Sequence, residues 1–143
     1  MTVGKTDFSP PSVTITTPLA GMTVNGAITV SADATDNIGI QKVEFYTTQS
    51  LTPFATDSDA PYTVLLDTNT LLDGPTYLYA KAYDTAGELI GGVGNMGQSA
   101  YVCVIIKNDT MVPSAVIASP ADGAIVSGNL AISASASDDR GIA

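Results

Sequence analysis

The sequence predicts an all-β protein, a two-layer sandwich of about seven strands followed by the first strands of a second module of the same kind. Three observations lead there: apolar and polar residues alternate with a period of two along most of the chain, turn-forming residues separate the alternating segments, and the first of these segments recurs 102 residues later. No stretch shows the 3.6-residue period of a helix. About seven short strands in roughly 100 residues are typical of an immunoglobulin-like β-sandwich.

Each predicted strand is a short alternating segment bounded by a turn. In the first, Val13 and Ile15 alternate with threonines, and Pro18 closes the segment. The predicted strands fall at 13–16, 28–35, 42–46, near Phe54, and at 62–66, 77–83 and 101–106. Turn-forming residues separate them at 19–21, 36–39, 73–75 and 91–92.

The internal repeat sets the predicted domain boundaries. Residues 11–41 realign on 113–143, with identical residues in pairs such as Ile15/Ile117, Val24/Val126, Gly26/Gly128 and Asp36/Asp138. We therefore expect a leader or linker over 1–9, a sandwich over 10–108 and a partial second module over 109–143. The partial module supplies only two strands, which are too few to form a hydrophobic core of their own. The partial module is expected to be frayed, to lean on the first module or to pair with another chain.

Composition excludes several functional classes. A net charge of −9 disfavours nucleic-acid partners and anionic lipid surfaces, because both require clustered lysine and arginine. The chain has no histidine and only one cysteine, Cys103, so it offers no intrachain disulfide, zinc-finger cluster or Cys/His dyad. The longest apolar run, 102–106, is too short to span a bilayer, and no membrane insertion is expected.

Several motifs together resemble a bacterial Ig-like repeat domain: PSVTITTP at 11–18, ATDNIGI at 34–40, KVEFY at 42–46, APY at 60–62, LDG at 72–74 and AKAYDTAG at 80–87. The resemblance implies tandem modules in secreted or surface-anchored bacterial proteins, where they act as spacers, adhesin stalks or accessory modules beside hydrolases. The chain departs from the family where Glu88 opens a glycine-rich excursion through Gly97, and where Thr76 stands in place of an aromatic residue.

Catalysis is not expected. No base is available to activate a serine or threonine, and no particular pair of aspartates stands out as acid and base. Residues 92–97 match GxGxxG, but a β segment follows them instead of the helix that a dinucleotide site requires. A hairpin loop explains these glycines better, and no organic cofactor is expected.

Two groups of acidic and amide residues offer ligands that could hold calcium. Asp36, Asn37 and Asp84 share one predicted end of the sandwich, which Asp7 could approach, and Asp109, Asp138 and Asp139 form the matching group at the next junction. Carboxylate and amide oxygens are the ligands that calcium prefers, and a bound ion would stiffen a row of modules. The alternative is that these residues only cap turns through hydrogen bonds to the backbone.

Tyrosines give a second candidate surface. By the alternation, five of them face outward from the sheet built of the third, sixth and seventh predicted strands: Tyr46, Tyr77, Tyr79, Tyr83 and Tyr101. Cys103 shares this face. Exposed aromatic rings can stack on sugars or form a protein contact, although tyrosine also simply covers exposed sheets.

The observations predict a non-catalytic module, and the resemblance implies an extracellular or cell-surface spacer whose partners are neighbouring Ig-like modules. Two alternatives stay open. One is a self-assembling filament subunit in which residues 109–143 pair in trans. The other is a carbohydrate-binding accessory module that uses the tyrosine face for a cell-surface glycan.

Overall fold

A computed structural model describes residues 7–86 and 94–142 of the chain. The chain divides into two compact units, Met1–Asn108 and Asp109–Ala143. Apart from one turn of 3₁₀-helix at Thr68–Thr70, every regular element in the described residues is a β-strand, which confirms the predicted all-β class. None of the described residues forms a helix long and apolar enough to cross a membrane.

The described residues of the first unit form nine strands in two sheets, and the seven predicted strands are among them. The strands are β1 (Ser12–Thr17), β2 (Thr23–Val24), β3 (Ala27–Thr35), β4 (Ile40–Thr47), β5 (Ala55–Asp57), β6 (Tyr62–Asp67), β7 (Gly74–Asp84), β8 (Met96–Gln98) and β9 (Val102–Ile106). One sheet has the order β1-β3-β6. The other has the order β2-β9-β7-β4-β5, with β8 added alongside β7. Neighbouring strands are antiparallel except β2 and β9.

The core lies between the two sheets and consists of the apolar members of each alternating pattern. Val30 on β3 faces Val43 and Phe45 on β4 and Leu78 on β7, and all four side chains are fully buried. Side chains one position along each strand point out of the sandwich. The alternation seen in the sequence is therefore the division between core and surface.

Strands β2 and β8 were not predicted. Strand β2 has only two residues, too few for any alternation, and β8 is a Met-Gly-Gln segment without an apolar pattern. Both form because a neighbouring strand offers free backbone groups: β2 pairs with β9, and β8 pairs with β7. Neither strand has an alternating pattern by which its own residues could predict it.

The two ends of the sandwich are distinct. At the Asp end, the 36–39 turn meets the end of β7, where the Thr85 amide donates to the Gly39 carbonyl at 3.2 Å. At the Asn end, Asn108 bonds to Gly26 and Thr68. The turn after β3 and the segment after β7 thus share one end, as predicted.

The second unit contains two antiparallel strands, β10 (Ser114–Ser119) and β11 (Ser133–Ser137). Their register repeats that of β1 and β3, including an irregularity at the equivalent position: Ser12 pairs with Thr35 and Ser114 with Ser137. Every residue of β10 and β11 is exposed. The first strands of a second module are present, as predicted.

Candidate functional site

Three carboxylates meet at the Asp end of the first unit. One oxygen from each of Asp7, Asp36 and Asp84 lies within 4.8 Å of the other two. Asn37 donates its amide nitrogen to Asp7 Oδ1 at 3.1 Å, and so joins the same cluster. The structure therefore brings together the four residues that the sequence placed at this end.

Asp84 is fully buried and organises the cluster. Its Oδ1 accepts the backbone amides of Ala86 and Asn95, both at 2.9 Å, and its Oδ2 accepts the Asn95 side-chain amide at 2.8 Å. The same Asn95 amide also donates to the Asp7 carbonyl at 3.0 Å. Asn95 was missed by the sequence analysis, because it lies 11 residues from Asp84 and only the fold brings the two together.

Asp7 and Asp36 are held by short local bonds. Asp36 Oδ2 accepts the Ile38 amide at 2.9 Å, which is the turn-capping bond that aspartate commonly makes. The Ser9 amide and Asn37 side chain donate to Asp7, and these bonds lower the pKa of its carboxyl. Asp7 Oδ2, by contrast, is buried and has no hydrogen-bond partner in the described part of the chain.

The second unit repeats this arrangement. One oxygen from each of Asp109, Asp138 and Asp139 lies within 4.8 Å of the others. The Arg140 amide donates to Asp138 Oδ2 at 3.2 Å, the counterpart of the bond from Ile38 to Asp36. Here Asp138 Oδ1 is the buried oxygen that lacks a partner within the described ranges. Turn capping therefore explains part of each cluster and leaves one carboxylate oxygen unsatisfied in each.

The glycine-rich segment is shaped by close approach of the backbone. A Cβ atom on Gly94 would collide with the Asp84 carbonyl and carboxylate, and one on Gly97 would collide with the Pro11 carbonyl. The backbone at Gly94 therefore packs directly against Asp84. The first residues of the GxGxxG match, Gly92 and Val93, lie outside the described residues, as do the 91–92 turn and Glu88.

The tyrosine face is the outer surface of β4, β7 and β9. Tyr46 is opposite Tyr79, and Tyr77 is opposite Cys103, so these side chains share one side of the sheet. The Tyr46 and Tyr79 rings stack with centroids 5.0 Å apart, and the Tyr101 ring lies 5.1 Å from Tyr79. Tyr77 and Tyr101 meet edge to face at 6.3 Å.

Charged residues close one end of this face, and the sequence analysis missed their role. Lys42 donates to Glu44 at 2.6 Å and lies 4.7 Å from the Tyr83 ring centroid. Lys81 lies 5.0 Å from the Tyr46 centroid. Burial raises the pKa of Glu44, but the hydrogen bonds from Lys42 and Tyr46 outweigh burial and leave it below its ordinary value.

Tyr46 is buried, although the alternation predicted that its ring faces outward with the other four. Its side chain is 7% exposed because Tyr79 stacks on it and Lys81 covers it. Burial and the bond to Glu44 raise the pKa of its phenol. Tyr77 and Tyr101 are 46% and 56% exposed, whereas Tyr79, Tyr83 and Cys103 are partly buried. The rings accessible to a partner are therefore mainly Tyr77 and Tyr101.

Asn108 fixes the chain as it leaves the sandwich. Its Oδ1 accepts the Gly26 amide at 3.1 Å and the Thr68 hydroxyl at 2.9 Å, and its Nδ2 donates to the Thr68 carbonyl at 2.7 Å. Its backbone amide donates to Asp73 Oδ1 at 3.1 Å. From the sequence, Asn108 was only part of a polar linker.

Comparisons with known proteins agree with this architecture. The family model described as "Bacterial Ig domain" matches residues 11–80 and 113–143, which include both copies of the internal repeat. Among curated proteins, no sequence matches the chain significantly.

Two solved structures are similar. A fibronectin(III)-like module of CbhA from Clostridium thermocellum is 27% identical, with a TM-score of 0.55, over 70% of this chain and 100% of that module. An endo-β-1,4-mannanase from Thermotoga petrophila is 14% identical, with a TM-score of 0.52, over 72% of this chain and 21% of the enzyme. The second similarity extends to the fold alone. Because the family model covers both repeats, the chain belongs to the bacterial Ig domain family.

Proposed function

We propose that this chain is a non-catalytic structural module of a bacterial secreted or surface protein, in which it spaces other domains apart. The observation that carries the proposal is the repeat of one module along the chain, since β10 and β11 pair in the register of β1 and β3. Asn108, the last residue of the first unit, makes four hydrogen bonds within that unit. The next residue, Asp109, accepts the Met111 amide at 3.1 Å and belongs to the second carboxylate cluster.

Modules repeated along one chain are what a spacer requires. A short joint between modules leaves them less freedom to reorient than a long flexible linker does. The family also supports an extracellular setting, because bacterial Ig-like domains typically occur in surface and secreted proteins. The Asp84 carboxylate accepts three hydrogen bonds from backbone and amide groups, which gives it a structural role.

The test is to loosen the joint. A flexible Gly-Ser segment of about eight residues inserted between Asn108 and Asp109 should let the two units tumble independently, which NMR relaxation of the backbone amides measures. The matched control carries the same insertion after the exposed Leu51 and should tumble as the native chain does. Equal relaxation of the native chain and the joint variant would contradict the spacer proposal.

A second proposal is that the carboxylate clusters bind calcium. Two observations support it: each cluster holds three carboxylate oxygens within 4.8 Å of one another, and each contains one buried oxygen, on Asp7 and on Asp138, that no described residue bonds. Like charges brought this close repel one another, and a hard divalent cation relieves that repulsion while satisfying the free oxygens.

Melting curves with calcium and with a chelator test this second proposal. A ligand at about 100 times its dissociation constant stabilises by about 2.7 kcal/mol, which raises the melting temperature by about 11 °C or more. Asp36→Asn should reduce the rise, whereas Asp33→Asn, on the exposed face of β3, should leave it unchanged. A shift below about 1 °C in the native chain would leave turn capping as the role of these residues.

A third proposal assigns glycan binding to the tyrosine face. Its support is the pair of half-exposed rings, Tyr77 and Tyr101, set edge to face on a flat sheet. Retention on insoluble polysaccharides should fall roughly tenfold or more in Tyr77→Ala/Tyr101→Ala. Leu65→Ala, an exposed apolar change on the other sheet, should be retained as the native chain is. No retention of the native chain on a broad panel would end this proposal.

A further inference from the structure

Strand β2 joins the beginning of the first unit directly to its last strand. Its two residues, Thr23 and Val24, lie parallel to the last two residues of β9. Backbone amides donate to carbonyls across this contact at successive steps: Gly21 to Cys103 at 2.7 Å, Ile105 to Met22 at 2.8 Å and Lys107 to Val24 at 2.9 Å. Bonds in a parallel pair are evenly spaced, so the contact is a regular ladder.

The side chain of Asn108 extends this ladder past the end of β9. Its Oδ1 accepts the Gly26 amide at 3.1 Å, two residues beyond β2, and the Thr68 hydroxyl at 2.9 Å. The amide and the hydroxyl of Thr68 in turn donate to the Gly26 carbonyl at 2.9 and 2.8 Å. Thr68 is completely buried. Asn108, Gly26 and Thr68 therefore form a closed ring of hydrogen bonds at the Asn end, which we call the Asn108 lock.

The chain enters and leaves the first unit at opposite ends, although β2 and β9 point the same way. Ser12 pairs with Thr35 at the Asp end, where β1 begins. Gly74 at the Asn end pairs with Ile106, where β9 ends. A pull along the chain therefore draws β2 toward the Asp end and β9 toward the Asn end. The two strands slide in opposite directions, so the bonds that join them, including the lock, are loaded together.

We infer that the Asn108 lock, together with the contact between β2 and β9, is the element by which the first unit withstands tension along the chain. The inference rests on the spacer proposal, because a module that holds other domains apart transmits the force that acts between them. It adds a property that spacing alone does not need, which is resistance to a pull in one particular direction. Bonds that are loaded together have to break together, so all of them contribute to the barrier.

Gln49 offers a comparison within the same end of the unit. Like the side chain of Asn108, its side chain takes part in three hydrogen bonds: Nε2 donates to the Leu72 carbonyl at 3.1 Å and to the Thr76 hydroxyl at 2.6 Å, and Oε1 accepts the Leu72 amide at 2.8 Å. These bonds join the turn after β4 to the start of β7, and neither segment belongs to the ladder between β2 and β9. Gln49 therefore contributes to stability without carrying the load.

The experiment applies tension to the full chain with optical tweezers. In a Cys103→Ser background, handles are attached through Phe8→Cys and Thr110→Cys, two exposed positions that bracket the first unit. Asn108→Ala should raise the unfolding rate at constant force about tenfold or more, which corresponds to about 1.4 kcal/mol of the barrier. Gln49→Ala should change this rate by less than about threefold, although both variants should lower the urea midpoint without load.

A second pair of handles loads a different strand. Ile38→Cys and Leu51→Cys are exposed positions on either side of β4. Pulled through these positions, Asn108→Ala and its parent should unfold at rates within about threefold of each other. Thr68→Val removes only the hydroxyl of the lock and should accelerate unfolding about fivefold or more through the first handles, so it carries the test if Asn108→Ala does not fold.

Three results would overturn the inference. They are equal acceleration by Asn108→Ala and Gln49→Ala through the first handles, equal acceleration by Asn108→Ala through both pairs of handles, and no acceleration by Thr68→Val where that variant carries the test. Failure of the spacer proposal would be seen in a different measurement, the NMR relaxation of the native chain and the joint variant. The loading experiment does not depend on that relaxation, so the two failures are distinguishable.

Discussion

Replacing Asp84 by alanine tests how the Asp end is held together. The side chain is completely buried and accepts three hydrogen bonds, two from backbone amides and one from the Asn95 side chain, at 2.8 to 2.9 Å. Alanine removes the acceptor of three donors, which belong to the half-buried residues Ala86 and Asn95.

The magnitude follows from those donors. An unsatisfied buried donor costs about 1–3 kcal/mol, so three of them give a loss of about 3 kcal/mol or more. A domain of this size unfolds in urea with a slope of about 1–1.5 kcal/mol per molar, so the midpoint should fall by roughly 2 M or more. The expected fall in melting temperature is about 12 °C or more.

Urea unfolding followed by circular dichroism is the assay, performed with a chelator present so that no bound ion contributes. Asp33→Ala is the control, because Asp33 lies on the exposed face of β3 and its removal should cost less than about 0.5 kcal/mol. A loss below about 1 kcal/mol for Asp84→Ala would refute the reasoning, since it would mean that water satisfies the freed donors.

Four further predictions follow from particular contacts. Gly97→Ala should destabilise the first unit by about 1–3 kcal/mol in urea unfolding, because the added methyl group meets the Pro11 carbonyl; equal midpoints for variant and native chain would contradict this contact. Phe45→Ala should cost about 3–5 kcal/mol in the same assay, and a loss like that of the exposed Leu51→Ala would show that the core is not packed around this ring. The phenol of Tyr46 is buried and bonded to Glu44, which raises its pKa above the ordinary 10.0, so the stability tied to its protonated form should be lost as the pH rises beyond that value; ultraviolet titration should show one phenol ionising late, and simultaneous ionisation of all six would count against it. Hydrogen bonds lower the pKa of Asp7 below 3.8, so their contribution is present at neutral pH and is lost as the pH falls through the lowered value; Asn37→Ala should raise that pKa in an NMR titration, and an unchanged pKa would exclude the bond from Asn37.

Much of the fold could be predicted because alternation along a strand records which side faces the core. Val13, Ile15, Val30 and Phe45 were identifiable as inward residues, and all four are buried in the structure. Strands β2 and β8 were not predictable, because their pairing depends on a neighbouring strand and not on their own residues. The burial of Tyr46 also escaped the sequence, since alternation gives the side of the sheet but not what covers a ring there.

The carboxylate clusters, too, could be predicted from the sequence only in part. Turn residues at 36–37 and the end of a strand at Asp84 were enough to place these groups at one end, because the order of strands in a sandwich brings those segments together. The closeness of the three oxygens and the roles of Asn95 and Asn108 depend on loops that approach from distant parts of the chain.

The sequence by itself determined the all-β class, the family and the repeated start of a second module, because these depend on local periodicity and on residue identity at fixed spacing. The tertiary structure decided which tyrosines stay exposed and which carboxylate oxygens have no partner among the described residues. Burial and hydrogen bonding are properties of neighbours in space, and only the folded chain brings those neighbours together.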